Sequence, residues 1–245
     1  MSADRPLRIK EMTPDAVRAA AAANPRLILP VGTTEQHGLH LPLGADSIIV
    51  ERLAEDLSAE FRVLLAPTIE YGVNDSVEEL FSGGASVRRK TLRRWVNELL
   101  ADWERLGISE ILLLTMNGFA PHQEALGTVV APHAKVRVID ILSIDFGSLV
   151  EHPDDPIHGG EVDTSLVMFV RPELVRPEAA VDYILSEQDL RRYRRGSSRW
   201  LPAESNGSVG RASKASAEKG RRLYAFIHAR LRERVFLANA PAPGV

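Results

Sequence analysis

Three short stretches of the chain gather side chains able to hold a metal ion or move a proton. The first reads Gly32-Thr33-Thr34-Glu35-Gln36-His37-Gly38-Leu39-His40-Leu41-Pro42-Leu43-Gly44-Ala45-Asp46. In an extended segment Glu35 and His37, two apart, point the same way. With Asp46 they make a carboxylate–imidazole–carboxylate set that suits zinc, manganese or iron. A polar loop ending in a helix-capping Asp is the competing reading. The second stretch, Asn117 to Glu124, starts with an Asn-Gly turn signal and places His122 where a loop enters a helix. From there His122 could ligate, act as a general base, or simply cap the helix. The third is His158-Gly159-Gly160-Glu161-Val162-Asp163-Thr164-Ser165. Its glycines allow close backbone approach to a ligand beside His158 and Glu161, or form an ordinary turn before a helix.

The elements that must position these residues alternate in type. Short apolar runs at Arg26–Val31, Arg62–Ile69, Glu110–Met116 and Val136–Leu142 read as buried strands. Helical periodicity marks Pro14–Ala23, with Thr13 as N-cap, then Ser47–Phe61, Arg88–Leu106, Gln123–Ala131 and Ala215–Glu233. Asp163–Val170 fits helix or strand equally. Continuous apolar strands between helices predict a three-layer α/β/α sandwich with a mostly parallel central sheet, in one domain spanning residues 1–245. Residues 1–10 and 239–245 read as flexible ends, and Arg195–Ser213 as a long loop. In such sheets ligands bind beyond the carboxyl ends of strands, where two of the three stretches follow the Arg26–Val31 and Glu110–Met116 runs.

Composition narrows the chemistry. The 245 residues include no cysteine, which removes thiolate nucleophiles, iron–sulfur clusters and zinc ribbons, so any metal must rest on His, Asp or Glu. A net charge of −3 gives no basic footprint for nucleic acid or anionic membrane. The basic clusters at Arg88–Lys90 and Arg191–Arg195 read as solvated helix faces. No apolar signal core or membrane-length run is found, so a cytoplasmic location is expected.

Taken together, the three stretches resemble the creatininase (creatinine amidohydrolase) family. Residues 32–46 reproduce the family signature G-[ST]-x-E-Q-H-G-x-H-L-P followed by Asp. His158–Ser165 is similar to H-A-G-E-x-E-T-S, and Asn206–Gly210 with Ala215–Gly220 resembles the family's C-terminal loop and helix. The resemblance implies a divalent metal pair, zinc first with manganese or iron as alternatives, hydrolysis of amide or cyclic amide C–N bonds in a small molecule, and a homo-oligomer such as a hexamer. By position it implies that Glu35 and His37 each contact one metal, that Asp46 bridges them, and that Glu161 joins the metal of His37.

The sequence also departs from the family pattern. In the family's N-G-H-G-G-N signature the His ligates the metal shared by Glu35 and Asp46; here that position is Phe119, and the final Asn is His122. A His-bearing family loop ending F-P-G-T corresponds to Glu78–Gly84, which has no His, and Asp163 is one methylene shorter than the usual Glu. Three outcomes follow: His122 replaces the lost ligand; one metal remains on His37, Asp46 and Glu161; or the metal site is impaired.

The expected mechanism is metal-assisted amide hydrolysis, with His122 or His158 protonating the leaving nitrogen. In this reading the loops at Phe119–His122 and Val77–Gly84 shape the pocket, Phe119 as an apolar wall, and Asp75, Glu78 and Glu79 suggest a cationic substrate. The rivals are a non-catalytic binding scaffold, and a metal-free lyase, isomerase or cyclase using His122 and Glu161 as acid and base.

Overall fold

The computed structural model describes residues 5–74, 81–194 and 205–237. Five parallel strands run through its centre: β1 (Leu7–Arg8), β2 (Arg26–Val31), β3 (Leu64–Leu65), β4 (Glu110–Thr115) and β5 (Lys135–Asp140), in the order β1-β3-β2-β4-β5. All four ladders between these strands are parallel. Seven helices accompany them among the described residues: α1 (Pro14–Ala23), α2 (Ala45–Phe61), α3 (Arg89–Arg105), α4 (Ala120–Gly127), α5 (Glu161–Val170), α6 (Glu187–Arg194) and α7 (Ala217–Leu231).

Strand alternation builds the three layers. Leu27, Leu29 and Val31 of β2, with Ile111 and Leu113 of β4, face Leu92, Val96 and Leu100 of α3 and Ala125 and Leu126 of α4. Ile28, Leu112 and Leu114 point the other way, onto Ile49 and Leu53 of α2, Leu166 of α5 and Leu223 and Ile227 of α7. Both faces are covered, so the strands read as unbroken apolar runs rather than alternating ones. Each fully buried Leu or Ile adds about 2 kcal/mol relative to exposure, which fixes the strand register firmly.

From β2 the chain crosses to β3 on one side, then returns over β2 to β4 on the other. The carboxyl ends of β2 and β4 are therefore the topological switch point, the place where open α/β sheets form their crevice. The residues after both strands are those with metal-competent side chains.

Several elements differ from expectation. The run Arg62–Ile69 pairs as a ladder only at Leu64–Leu65, with a further isolated bridge from Val31 to Ile69; Pro67 has no N–H to donate. Helix α4 begins at Ala120, with Pro121 in its first turn, ahead of the expected start at Gln123. Helix α2 starts at Ala45, which draws Asp46 into its first turn. The undecided stretch is helical, and α5 starts at Glu161. Helix α7 stops at Leu231 and passes into a π-helical turn, Arg232–Leu237. Residues read as a flexible N-terminus supply the edge strand β1. The expected tail at 239–245, and 195–204 of the expected loop, lie outside the described residues. No helix among the described residues is long and apolar enough to cross a membrane.

Candidate metal centre

Glu35 and His37 leave β2 in an irregular segment pinned by the Glu35 N–H donating to the Leu43 carbonyl (3.0 Å). Both are buried. The His37 ring donates through Nδ1 to the Glu35 carbonyl (3.2 Å), which turns Nε2 towards Asp46 Oδ1 at 3.2 Å. Asp46 reaches this point from the first turn of α2, where the helix N-terminus favours a carboxylate. Its other oxygen accepts from Thr33 Oγ1 (2.8 Å) and from Asn117 Nδ2 (3.1 Å). The same Asn117 amide donates to Glu35 Oε1 (2.9 Å). The Phe119 N–H donating to Asn117 Oδ1 (3.0 Å) holds that amide in orientation. His40 ties the loop to α5 through Thr164 Oγ1 (2.9 Å).

His158 lies just before α5, in a segment tied to Val209 by an isolated antiparallel bridge. Its Nδ1 lies 3.9 Å from Glu35 Oε1, and its ring sits 4.8 Å from that of His37. Glu35, His37 and His158 each offer a ligand atom within 4.8 Å of the others. Gly159 makes this approach possible. At φ +68° it lies against the His37 carbonyl so closely that any Cβ would collide with that oxygen.

The charges are unbalanced in a way that favours a cation. Burial works against a charge on His37, but Asp46 first, then Glu35 and Asp163, outweigh it and push the imidazole up to about 10. Burial likewise opposes the Asp46 carboxylate, yet the charge of His37 carries it below its ordinary value. Burial raises Asp163 to about 6, partly offset by His37. Burial, then the charge of His37, press His158 down to about 3, so it is neutral. Three buried carboxylates thus surround one imidazolium, a set that would be costly without a counter-charge. Imidazole nitrogen and carboxylate oxygen are the donors that zinc and manganese accept, so the residues fit a divalent ion.

Two expected site residues are elsewhere. Glu161 accepts the Glu151 N–H through both carboxylate oxygens (3.0 and 3.1 Å) and is ion-paired with the buried Lys219 of α7. The carboxylate that α5 contributes to the centre is Asp163, within reach of the charges of His37 and Asp46 and accepting the Gly159 N–H at 2.7 Å. On a helix, residues two apart diverge by about 200°, so Glu161 and Asp163 cannot share one site. His122 is fully buried, and both ring nitrogens are used: Nδ1 accepts the Val73 N–H (3.2 Å) and Nε2 donates to Thr115 Oγ1 (3.2 Å). Burial lowers it to about 4. This neutral tautomer has no lone pair left for a metal and no place among the clustered ligands.

A family model described as creatinine amidohydrolase matches residues 10–235. The chain belongs to the creatininase family. Mycofactocin precursor peptide peptidase of Mycobacterium ulcerans is 30% identical over 82% of this chain and 80% of its own length. Creatinine amidohydrolase of Pseudomonas putida is 25% identical over 66% of this chain and 71% of its own. A crystal structure of creatininase superposes with a TM-score of 0.78 at 22% identity, covering 97% of this chain and 99% of that one.

Within the creatininase fold, half-buried Phe119 packs against the apolar core on the α3/α4 side of the sheet. Residues 75–80, and with them Asp75, Glu78 and Glu79 and half of the Val77–Gly84 loop, lie outside the described residues. Sequence reasoning passed over Thr33, Gln36 and Asn117, and gave Asp163 no role in the centre. The Asn-Gly after β4 was the available signal for Asn117, but it also reads as a plain turn.

Proposed function

We propose that this protein is a metal-dependent hydrolase that cleaves a C–N bond of the amide type. The observation carrying the proposal is the cluster of buried Glu35 and His37 with half-buried His158, with Asp46 against His37 and Asp163 close by. Glu35, His37 and Asp46 would hold one divalent ion, zinc or manganese. A manganese form of creatininase and a zinc–zinc form of a creatininase variant share the fold, each at TM-score 0.74. When bound, such an ion acidifies water and polarises a carbonyl.

The chain's own residues would do the rest. The hydroxyl of water adds to the carbonyl carbon and the C–N bond breaks. Asp163, which burial makes a more basic carboxylate than usual, takes up the water's proton in its ionised form and delivers it to the departing nitrogen. The products are a carboxylic acid and an amine. His158 directs its ring at the reacting group.

One ion is favoured over two. A second ion between Glu35 and Asp46 would have to displace the Asn117 amide, which donates to both carboxylates, and Phe119 supplies no imidazole there. The metal-free acid–base reading loses its residues, since Glu161 is paired with Lys219 and His122 is saturated.

The substrate is proposed only as far as its bond. The relatives include a peptide peptidase and a creatinine amidohydrolase, so a non-peptide substrate is not favoured over a peptide. The test is hydrolysis of linear amides, cyclic amides and short peptides before and after chelation. Activity abolished by chelator and restored by zinc or manganese is expected; activity that survives chelation contradicts the proposal.

A further inference from the structure

The motif between Glu35 and His37 contains a residue that the hydrolytic reading leaves without a task. Gln36 is buried, and its side-chain amide is held by two backbone groups of opposite polarity. Its Oε1 accepts the Gly38 N–H at 2.9 Å, and its Nε2 donates to the Gly207 carbonyl at 2.7 Å. Flipping the amide would set oxygen against carbonyl and N–H against N–H, so the chemistry fixes the orientation. The same Nε2 lies 2.9 Å from His158 Nε2. An amide nitrogen only donates, so the His158 nitrogen facing it must accept.

We infer that Gln36 is a positioning residue that fixes the tautomer of His158, keeping the proton on Nδ1 and presenting an N–H, not a lone pair, to the metal centre. His158 Nδ1 is the nitrogen that faces Glu35 and the cluster, at 3.9 Å. His158 is then neither a metal ligand nor a shuttle that must take a second proton on Nε2. It is a neutral hydrogen-bond donor aimed at the reacting group, able to stabilise the negative charge that gathers on the carbonyl oxygen as water adds. Neutral imidazole in this role is known from triosephosphate isomerase. No proton leaves His158 in the step.

The backbone around Gln36 is built for this contact. Gly207 has φ +92°, and a Cβ there would strike Gln36 Oε1, so only glycine lets the carbonyl reach the amide. The Ser205 hydroxyl accepts the Gly207 N–H at 3.0 Å and closes the turn. Gly159 at the same time lets the residue after His158 rest on the His37 carbonyl. The competing arrangement sends a His158 Nε2–H to the Gly207 carbonyl, which would leave the Gln36 N–H pointing at another N–H across 2.9 Å.

The inference rests on the hydrolase reading for its catalytic meaning but not for its test. Histidine labelled with 15N in the full chain, loaded with zinc, reports which ring nitrogen carries the proton, and His158→Gln assigns the signal. Wild type should show His158 protonated at Nδ1 and unprotonated at Nε2. Glu at position 36 can only accept, so Gln36→Glu should move the proton to Nε2. It should turn a lone pair to the cluster, tighten zinc binding by about tenfold, and lower kcat with KM little changed. Gln36→Met, which cannot donate, should give a mixture of tautomers. A wild-type His158 protonated at Nε2, or an unchanged tautomer in the folded Gln36→Glu protein, overturns the inference. Should the tautomer be as inferred while no C–N bond is cleaved, the hydrolase reading fails and the positioning role stands.

Discussion

The molecule buries histidines at two places along the carboxyl edge of its sheet, and they have different fates. At the α4 end, His122 has a donor for one nitrogen and an acceptor for the other, with no charged partner in contact. At the β2 end, His37 and His158 sit among Glu35, Asp46 and Asp163 with more carboxylates than cations. His122 and His37 are alike in burial and residue type, and His158 is half-buried. The partners separate His122 from His37: a neutral N–H and a hydroxyl hold His122 in the fold, while His37, facing carboxylates, can exchange its proton for a metal ion. Glu161 and Asp163 repeat the lesson on a single helix, one sealed by Lys219 and one left near the centre.

Substitutions can break this contrast at its strongest point first. His37→Ala should remove the bound metal and cut kcat/KM by about a thousandfold or more, read by elemental analysis and amide hydrolysis. His158→Gln should keep the metal and lower kcat by about a hundredfold, the cost of one donor at a developing charge. Retained metal with lost turnover separates donor from ligand. Glu161→Gln should keep both metal and turnover within about threefold while costing roughly 2–3 kcal/mol in denaturant unfolding, because buried Lys219 loses its partner in α5 but keeps Glu151 and the Lys214 carbonyl. A metal-free Glu161→Gln protein would return that residue to the ligand set.

The smallest effect concerns His122, and it appears in acid. In the folded chain its imidazole stays neutral down to about 4, whereas an unfolded one protonates near its ordinary value of 6.5. Between these values the unfolded state binds a proton that the folded state refuses. The contribution of neutral His122 is therefore whole above pH 6.5 and is lost as pH falls towards 4, up to about 3 kcal/mol. His122→Gln should flatten this part of the stability curve, cost about 1–2 kcal/mol at neutral pH, and leave the metal in place.

Much of the architecture is legible in the sequence because the apolar runs have to be buried on both faces. The layer arrangement and the Glu35–His37–Asp46 set follow from that pattern and from two-residue spacing. The assignment of Glu161 over Asp163 rests on position in the family motif, and no local pattern announces its ion pair with Lys219. In a strand the two carboxylates share a face, and in a helix they part. The surroundings of His122 are hidden for another reason: nothing in Asn117–Glu124 reveals that Val73 and Thr115 take both its nitrogens. The tasks of Asn117 and Gln36 are set by hydrogen bonds to distant residues, Asp46 and Gly207 among them, and no local pattern encodes those. Helix α6, five of whose eight residues are charged, has too few apolar residues to announce it.

The central claim is that one divalent ion rests on Glu35, His37 and Asp46, apart from His122 and Glu161. Elemental analysis of the purified protein beside His37→Ala, His122→Gln and Glu161→Gln tests it most directly. The account predicts about one equivalent of zinc or manganese per chain, absent in His37→Ala and unchanged in the other two. Metal that survives His37→Ala, or that disappears with His122→Gln, would contradict it.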